Sequence, residues 1–509
     1  MAQIVWFKRD LRARDHRALA AAAEAGPLIA LYVVEPNYWA QPDTSQRHWA
    51  FIRECLGALD AALRERGGGL TVRQGEMTAV LAALHDEHGI DGLHAHEETG
   101  NYWSYERDAA VRAWCRERGI AFREYPNFGV VRGLHDRDQW HARWERRMQE
   151  AVVPAPQRIR PATPPNPSVE ALPRTLGHEH RACSERQAGG RAAGEALLAS
   201  FLRERGRPYR RAMASPLTGE WACSRLSPHI AYGTLSLREI VHAHRQRWAE
   251  ASRDEKGSGW PSALKSFESR LHWHCHSIQK LEDQPDIEFR NLHRSYDGMR
   301  EHDFDDRLFR AWAEGETGIP FVDACMRMLH RTGWLNFRMR AMLMAFAGYH
   351  LWLHWREPAL HLARVFTDYE PGIHYSQSQM QTGTTGINAI RIYNPIKQSH
   401  DQDPDGAFIR RFVPELAAVP APWIHEPWRL PPEWQRHYGL AIGTDYPERI
   451  VDHQAAASEA RRRIKEHRAK HDMQAEADRI RRQHASRKRP NDRGRSRKKT
   501  NPYQGELDI

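Results

Sequence analysis

The sequence predicts an α/β domain with a doubly wound parallel sheet, followed by a larger all-α domain. Short β-like runs alternate with helical stretches over the first 125 residues, which is typical of a parallel sheet covered by helices. Seven prolines in residues 154–173 favour an extended connector. Beyond about residue 191, long amphipathic helices rich in Trp, Arg and His take over. We expect an α/β domain at 1–135, a connector at 136–190, a helical domain at 191–455 and a basic tail at 456–509.

The elements of the first domain can be placed individually. The strand candidates are QIVWF, PLIALYVV, LTVRQ, IDGLHAH and IAFREY, and helical spacing covers about 46–66, 77–88 and 105–118. Ligands of such sheets bind at the carboxyl ends of the strands, here near WFKRDLR and HEETGNYW. No GxGxxG follows the first strand, so a dinucleotide-binding Rossmann motif is not supported.

Composition limits the class of protein. The 509 residues are 40% hydrophobic and contain no apolar run of about 18 residues, and the N-terminus lacks the features of a signal peptide. We expect a soluble, monomeric, cytoplasmic protein without a membrane partner. The six cysteines form no CxxC pair, and none follows Cys325, so we expect reduced thiols and no iron–sulfur cluster.

The positive charge is concentrated at the C-terminus. From Ala455 onward there are 17 Lys and Arg against 8 Asp and Glu, which accounts for nine of the ten net charges. Such a segment can neutralise DNA phosphates without reading bases. A solvated, disordered extension explains the same composition.

Three segments of the helical half could carry chemistry. In WACSRLSPHIAYGTLS, Ser224 and Ser227 flank Arg225 before a helix start, which suits a phosphate or an ordinary helix cap. Arg338 and Arg340 precede Asp368 and Glu370 by about thirty residues, which suits a buried ion pair beside a ring system or surface salt bridges.

The third segment runs from Gly383 and Gly386 to Arg391 and Lys397. Close backbone approach beside cations suits a nucleic-acid backbone, and a plain surface loop is the alternative.

The stretch RLHWHCH at 270–276 has the letters of a metal site. On a helix, His272, Cys275 and His276 share one face. No second cluster supplies a fourth ligand at an interpretable spacing, so we predict packing or ring stacking and no metal.

Together these motifs resemble those of the DNA photolyase and cryptochrome family over about nine-tenths of the chain. The carrying segments are IVWFKRDLRARDHRAL, CSRLSPHIAYGTLSLREI, GIPFVDACMRMLHRTGWLNFRMR and RIYNPIKQSHDQDPDGAFIRRFVPEL. The resemblance implies an antenna-type α/β domain and a helical domain that holds a folded FAD. It also implies UV-damaged DNA as partner. The segment HEETGNYWSYERD could line a pocket for a second antenna chromophore, a pterin, deazaflavin or lumazine of unknown identity, or an empty pocket.

The resemblance carries roles to residues of this sequence. FAD contacts would come from Tyr209, Cys223, Ser224, Arg225, Leu226, Ser227, Arg270, Arg340, Asp368 and Glu370. Arg340 would face the flavin N5 edge and pair with Asp368. Trp273 would stack on a flipped-out pyrimidine dimer, and Arg338 and Arg391 would contact the DNA backbone.

The implied activity is light-driven repair of cyclobutane pyrimidine dimers. A reduced anionic flavin passes an electron to the dimer and recovers it after the cyclobutane ring splits. The alternatives are repair of (6-4) photoproducts and a cryptochrome-type blue-light receptor without repair activity.

The sequence departs from the family pattern around the lesion and along the electron route. Arg270 replaces a carboxylate and Phe337 replaces an asparagine. Trp355 matches the middle member of the family's tryptophan chain, whereas His302 and Ser376 stand at the other two positions. Electrons would then travel through Trp352, Tyr349 or Tyr375.

Overall fold

A computed structural model describes residues 2–164, 172–178 and 181–485. Within these ranges no helix is both long enough and apolar enough to cross a membrane. Parts of the predicted connector and the last 24 residues of the predicted tail lie outside the described residues.

The N-terminal domain contains one five-stranded, fully parallel sheet. The strands are β1 (Ala2–Phe7), β2 (Leu28–Val34), β3 (Leu70–Gln74), β4 (Ile90–His96) and β5 (Ala121–Tyr125). Their order is β3-β2-β1-β4-β5, and in the centre Val5 pairs with Ala30 on one side and His94 on the other. The predicted doubly wound sheet is confirmed.

The helices of the whole chain follow in order. They are α1 (Arg17–Ala25), α2 (Pro36–Trp39), α3 (Gln46–Arg64), α4 (Met77–His88), α5 (Tyr102–Glu117), α6 (Trp140–Gln149), α7 (Arg191–Ser200), α8 (Tyr209–Ala212), α9 (Pro216–Ala222), α10 (Ser227–Ala231), α11 (Leu237–Asp254), α12 (Trp260–Asp283), α13 (Asp306–Glu314), α14 (Pro320–Thr332), α15 (Phe337–Ala345), α16 (Arg356–Val365), α17 (Pro371–Thr382), α18 (Pro395–Gln402), α19 (Ala407–Phe412), α20 (Ala421–Ile424), α21 (Pro432–His437), α22 (His453–Ala469) and α23 (Gln474–His484).

Alternation along β1 explains the layering of the first domain. Val5 and Phe7 belong to a core with residues of α1 and α3, whereas Ile4 and Trp6 belong to a second core with α4 and α5. Successive side chains of a strand point to opposite faces, so a continuous apolar strand buries both faces of the sheet.

The all-α domain is built on α12 and α17, which pack closely. A Cβ at Gly372 of α17 would lie 2.6 Å from the Cα of Ile278 in α12, so only glycine permits this approach. Around these helices lie two large cores, one of which includes α14, α15 and α16 and the other α6 and α11. The predicted all-α second half is confirmed.

Two stretches differ from the expected connector and tail. Residues 140–149 of the predicted connector form α6, because Trp140, Trp144 and Met148 share one face and enter the core of the helical domain. The first part of the predicted tail forms α22 and α23, which are packed on the helical domain by the buried residues Ala460 and Ile480, among others.

Candidate functional site

Two polar residues brought together by α15 and the loop before α17 form the centre of the candidate site. Arg340 donates to both carboxylate oxygens of Asp368, from Nη1 to Oδ1 at 3.0 Å and from Nη2 to Oδ2 at 2.7 Å. Its Nε donates to the carbonyl of Leu335, and the guanidinium lies 4.0 Å from the centre of the Phe366 ring. The Arg340–Asp368 pair that the resemblance implies is therefore present. It is bidentate, and its orientation is fixed.

The segment between α9 and α10 presents free amides. Arg225 has a φ of 61°, in the left-handed region that residues other than glycine rarely adopt. Leu226 follows in a right-handed conformation, and this alternation turns successive N–H groups toward one concave side. In the part of the chain that the structure describes, the amides of Ser224, Arg225 and Ser227 donate to no protein acceptor. Such a backbone binds anions.

The side chain of Arg225 does not join this concave side. Its guanidinium lies 4.1 Å from the ring centre of Trp334, and its Nε donates to Gln187. Burial lowers the pKa of Arg225 to about 10. Arg225 was predicted to contact the cofactor. Its backbone N–H is available to a ligand, whereas its side chain is engaged by other residues of the protein.

Cys223 connects the amide segment to the ion pair. The electrostatic neighbours of its thiol include Arg225, Arg340 and Arg270, which come from three separate parts of the chain. Burial still raises the pKa of this thiol to about 11, so it is neutral at physiological pH. The predicted residues therefore converge on one region.

Arg270 and Trp273 lie one turn apart on α12. The Arg270 guanidinium stacks on the Trp273 ring at 4.1 Å from its centre, and Trp273 is half-buried. Arg270 also hydrogen-bonds with the hydroxyl of the buried Tyr209, while its Nη1 is buried without a hydrogen-bond partner. Since guanidinium groups only donate, this site has a free donor beside an aromatic face.

Glu370 makes a contact that sequence reasoning missed. Arg9, from the loop after β1, donates to its Oε1 at 3.1 Å, while its Oε2 is buried without a hydrogen-bond partner. Burial raises the pKa of Glu370, although Arg9 opposes this shift. The α/β domain thus contributes to the site through Arg9, which no local pattern relates to α17.

His374 is a second residue that was missed. It is an electrostatic neighbour of both Arg340 and Asp368, and its Nε2 lies 2.7 Å from the carbonyl of Ala359. Burial lowers its pKa to about 4, so the ring is neutral at physiological pH. Nε2 therefore donates and Nδ1 keeps its lone pair. Its position four residues after Glu370, the residue that precedes α17, was the available signal.

The remaining predicted residues lie away from the centre of the candidate site. Arg338 is half-buried with an unpartnered Nε beside the exposed Phe337, and Arg391 is exposed. Trp355 is fully buried, donates to Asn291 at 2.8 Å and lies 6.3 Å from Tyr375 between ring centres. The residues expected to contact DNA are at least partly exposed, and Trp355 belongs to the core.

The RLHWHCH stretch is engaged in packing. His272 lies edge-on to Trp140 and Trp144, and Arg137 donates to Nδ1 of His276. Among the described residues, the group whose ligand atoms are close enough to share an ion is instead Asp10, His16 and His96.

Hydrogen bonds explain why Asp10, His16 and His96 lie so close together, and no metal is needed for this. Leu19 donates its N–H to Nδ1 of His16, so Nε2 of His16 carries the proton that bonds to Asp10 at 2.9 Å. His96 bonds to the same carboxylate oxygen through Nδ1 at 2.7 Å. These hydrogen bonds hold the loop after β1 in place.

The carboxyl edge of the sheet is lined by buried ion pairs. Lys8 pairs with Asp108 at 2.7 Å, and Arg107 pairs with Glu35 at 2.8 Å and with Glu98 at 3.2 Å. The loops WFKRDLR and HEETGNYW meet here, as their positions after β1 and β4 predict.

The site fits a flavin dinucleotide in two respects. The free amides of Ser224, Arg225 and Ser227 suit the oxygens of a pyrophosphate. Unpartnered polar atoms of Arg270, Asn336 and Glu370 are buried nearby, and burying such atoms without a partner is costly.

Comparisons with known proteins agree with this fold. Residues 3–131 match the family model "DNA photolyase", and residues 267–466 match the "FAD binding domain of DNA photolyase". The chain is 32% identical to a cryptochrome DASH of Natronomonas pharaonis, over 88% of this chain and 98% of the relative. It is 31% identical to a deoxyribodipyrimidine photo-lyase of Streptomyces griseus, over 88% and 96%.

A solved structure shares the architecture. The class III photolyase of Agrobacterium tumefaciens superposes with a TM-score of 0.81 at 26% identity, covering 92% of this chain and 98% of that one. The chain has the parallel sheet of these proteins, a helical domain that matches their FAD-binding domain, and relatives that it matches over nearly their full length. It therefore belongs to the DNA photolyase and cryptochrome family.

Proposed function

We propose that the chain repairs cyclobutane pyrimidine dimers in DNA by light-driven electron transfer to a flipped-out lesion. The observation that carries the proposal is the convergence of Arg270 and Arg340 on Cys223, beside the half-buried Trp273. Relatives named deoxyribodipyrimidine photo-lyase support the same reaction class.

The residues then have distinct roles. FAD, when bound in reduced form, supplies the electron after absorbing a photon. Trp273 offers a ring face to the extruded base, and stacking of this kind stabilises a base by about 1–3 kcal/mol. Arg340, held by Asp368, keeps a fixed cation in the cavity and favours negative charge there.

Electron balance requires no further oxidant or reductant in one repair cycle. The electron enters the dimer, two carbon–carbon bonds of the cyclobutane ring break, and the electron returns. The protein therefore has to exclude competing proton donors, and the neutral His374 and Cys223 are compatible with that requirement.

The DNA backbone would meet the cations around the cavity mouth. Arg338 and Arg391 are the phosphate contacts that we propose, and Phe337 is exposed between Asn336 and Arg338. Phosphate contacts position the duplex without reading its sequence.

A repair assay tests the proposal. Purified protein with reduced FAD is lit with blue light in the presence of DNA that carries a single dimer, and restored DNA is counted. We expect repair by the wild type, a large loss of repair in Trp273→Ala, and no change in Trp248→Ala, an exposed tryptophan on α11. No repair at stoichiometric protein would refute the proposal.

A photoreceptor without repair activity is the second candidate function. It is favoured by the docking of α22 and α23 on the helical domain, since such helices could undock in response to light. The same assay, run in parallel with a (6-4) photoproduct, separates the cases. FAD binding with light-dependent proteolysis of α22 and α23 but no repair of either lesion would favour the receptor.

The second chromophore remains a prediction. A ligand at the carboxyl edge of the sheet would contact the ion pairs of Lys8 and Arg107 and the rings of Tyr38 and Trp103, which lie 5.6 Å apart. We expect an absorbing compound other than FAD in the extract of denatured protein. Extraction of FAD alone from protein made in cells that synthesise pterins and deazaflavins would contradict this expectation.

A further inference from the structure

The side chain of Arg205 is an unusual feature outside the predicted site. All five of its N–H groups are used. Nε donates to the hydroxyl of Ser200 at 2.9 Å, Nη1 donates to the carbonyls of Trp221 (3.0 Å) and Cys223, and Nη2 donates to the carbonyls of Leu197 (3.0 Å) and Ser224 (2.6 Å). No carboxylate is among these acceptors, so the guanidinium is used to orient backbone.

The local structure directs Arg205 to this position. Residues 201–205 form a single π-helical turn directly after α7, and such turns often occur at functional sites. Gly206 follows, where a Cβ would lie 2.3 Å from the carbonyl oxygen of Phe201. The turn therefore requires glycine, and it places Arg205 against the loop between α9 and α10.

Peptide geometry transmits this contact to the concave side of the loop. In a trans peptide the C=O and the following N–H point in opposite directions. Since the carbonyls of Cys223 and Ser224 point at Arg205, the N–H groups of Ser224 and Arg225 point away from it. These are amides without a protein acceptor in the described residues, in the anion-binding conformation at Arg225 and Leu226.

We propose that Arg205 is a positioning residue for the pyrophosphate of the dinucleotide, acting through the backbone of residues 223–225. It does not touch the ligand, because its donors are all occupied by the protein. It also holds the left-handed conformation of Arg225, which is strained when nothing restrains it. The inference rests on the proposed flavin site.

The test compares two ligands that differ in the phosphates. FAD and riboflavin are titrated against the wild type, Arg205→Lys and Arg205→Gln, and binding is followed by flavin fluorescence. Lysine keeps the charge but has three donors on one nitrogen, which cannot reach four separate carbonyls. We expect FAD affinity to fall by about tenfold or more in both variants, as for the loss of one or two charge-assisted hydrogen bonds. Riboflavin affinity should change less than threefold.

The same titrations include a control variant. Arg203→Gln, at an exposed position of the same turn, should leave both affinities unchanged. Equal losses for FAD and riboflavin, or unchanged FAD affinity in folded Arg205→Lys, would overturn the inference. If Arg205→Gln does not fold, Arg205→Lys decides alone. Failure of the wild type to bind FAD would instead refute the proposed function.

Discussion

At the scale of single residues, the Arg340–Asp368 pair places a fixed cation in the cavity. Asp368 is almost fully buried, whereas a quarter of the Arg340 side chain is exposed. The pair is fixed by two hydrogen bonds and by the Phe366 ring, so it is formed before any ligand arrives. Preorganised charge of this kind costs no rearrangement when an anionic ring system binds.

Asp368→Asn should lower the free energy of unfolding by about 2–4 kcal/mol, because it leaves the Arg340 cation without its counter-charge. Urea unfolding of the protein without FAD measures this change. Asp401→Asn is the matched control, since Asp401 pairs with Lys397 on the exposed face of α18, and its loss should cost about 0.5 kcal/mol or less. Equal effects of the two substitutions would contradict the assigned role.

Tyr375 is the aromatic residue that the structure places between the site and Trp355. Its ring centre lies 6.3 Å from that of Trp355 and 6.4 Å from that of Tyr369. Tyr349 and Trp352, the other two candidates for the electron route, instead lie beside Arg300, whose cation disfavours oxidation of either ring.

We therefore expect Tyr375→Phe to slow photoreduction of bound FAD several-fold, and Tyr349→Phe to leave it unchanged. Absorbance of the flavin under blue light with an external thiol measures the rate. Both tyrosines are about 99% buried, which makes them a matched pair. An unchanged rate in Tyr375→Phe would exclude the route through this residue.

At the scale of secondary-structure elements, α22 and α23 replace much of the predicted tail. Their composition is highly charged, and only a few residues of each helix are buried. Ala460 and Ile464 of α22 pack near Tyr349, and Ile480 of α23 enters the main core. The spacing of four between Ala460 and Ile464 is visible in the sequence and is typical of a buried helix face. The many Arg and Lys residues around them indicated a solvated tail instead.

Residues 486–509 still contain a dense run of Lys and Arg, outside the described part of the chain. A variant truncated after Ala485 should have an unchanged melting temperature, because it keeps α22 and α23. The slope of log K against log salt for DNA binding should become shallower, by about 0.9 for each phosphate that the shortened protein no longer neutralises. Binding isotherms at several salt concentrations measure the slope, and an unchanged slope would show that the segment does not contact DNA.

At the scale of the whole molecule, the two domains share a buried polar interface. Tyr369 donates to Asp43 at 2.6 Å, and Glu288 accepts from the N–H of Tyr102 at 2.8 Å. Burial raises the pKa of Glu288 from 4.5 to about 8, and the nearby Asp43 adds to this shift. Arg356 opposes it. The interface therefore holds a proton on Glu288 at neutral pH.

This proton makes stability depend on pH. A folded-state pKa above the unfolded value gives stability that is complete below about pH 4.5 and is lost as pH rises through 8. Glu288→Gln lacks this dependence, so its advantage over the wild type should grow between pH 5 and pH 8, to roughly 1–3 kcal/mol. Urea unfolding at four pH values measures the difference, and parallel curves would contradict the assignment.

The parts that could be predicted from the sequence are those governed by local patterns. The five strands begin and end within about one residue of the predicted runs, because their apolar stretches are bounded by turn residues. Arg340 and Asp368 were paired through motifs of the family. Arg9 and Glu370 could not be paired, since they are 361 residues apart and neither carries a periodic signal.

The contact between Arg9 and Glu370 also determines when the site can form during synthesis. Arg9 is synthesised 361 residues before its partner. The α/β domain can fold early because its strands are local, but the flavin site has to wait for α17. In the complete fold Arg9 also pairs with Glu98 of its own domain, from Nε to Oε1 at 3.4 Å. The cofactor therefore meets a complete site only after α17 has been synthesised.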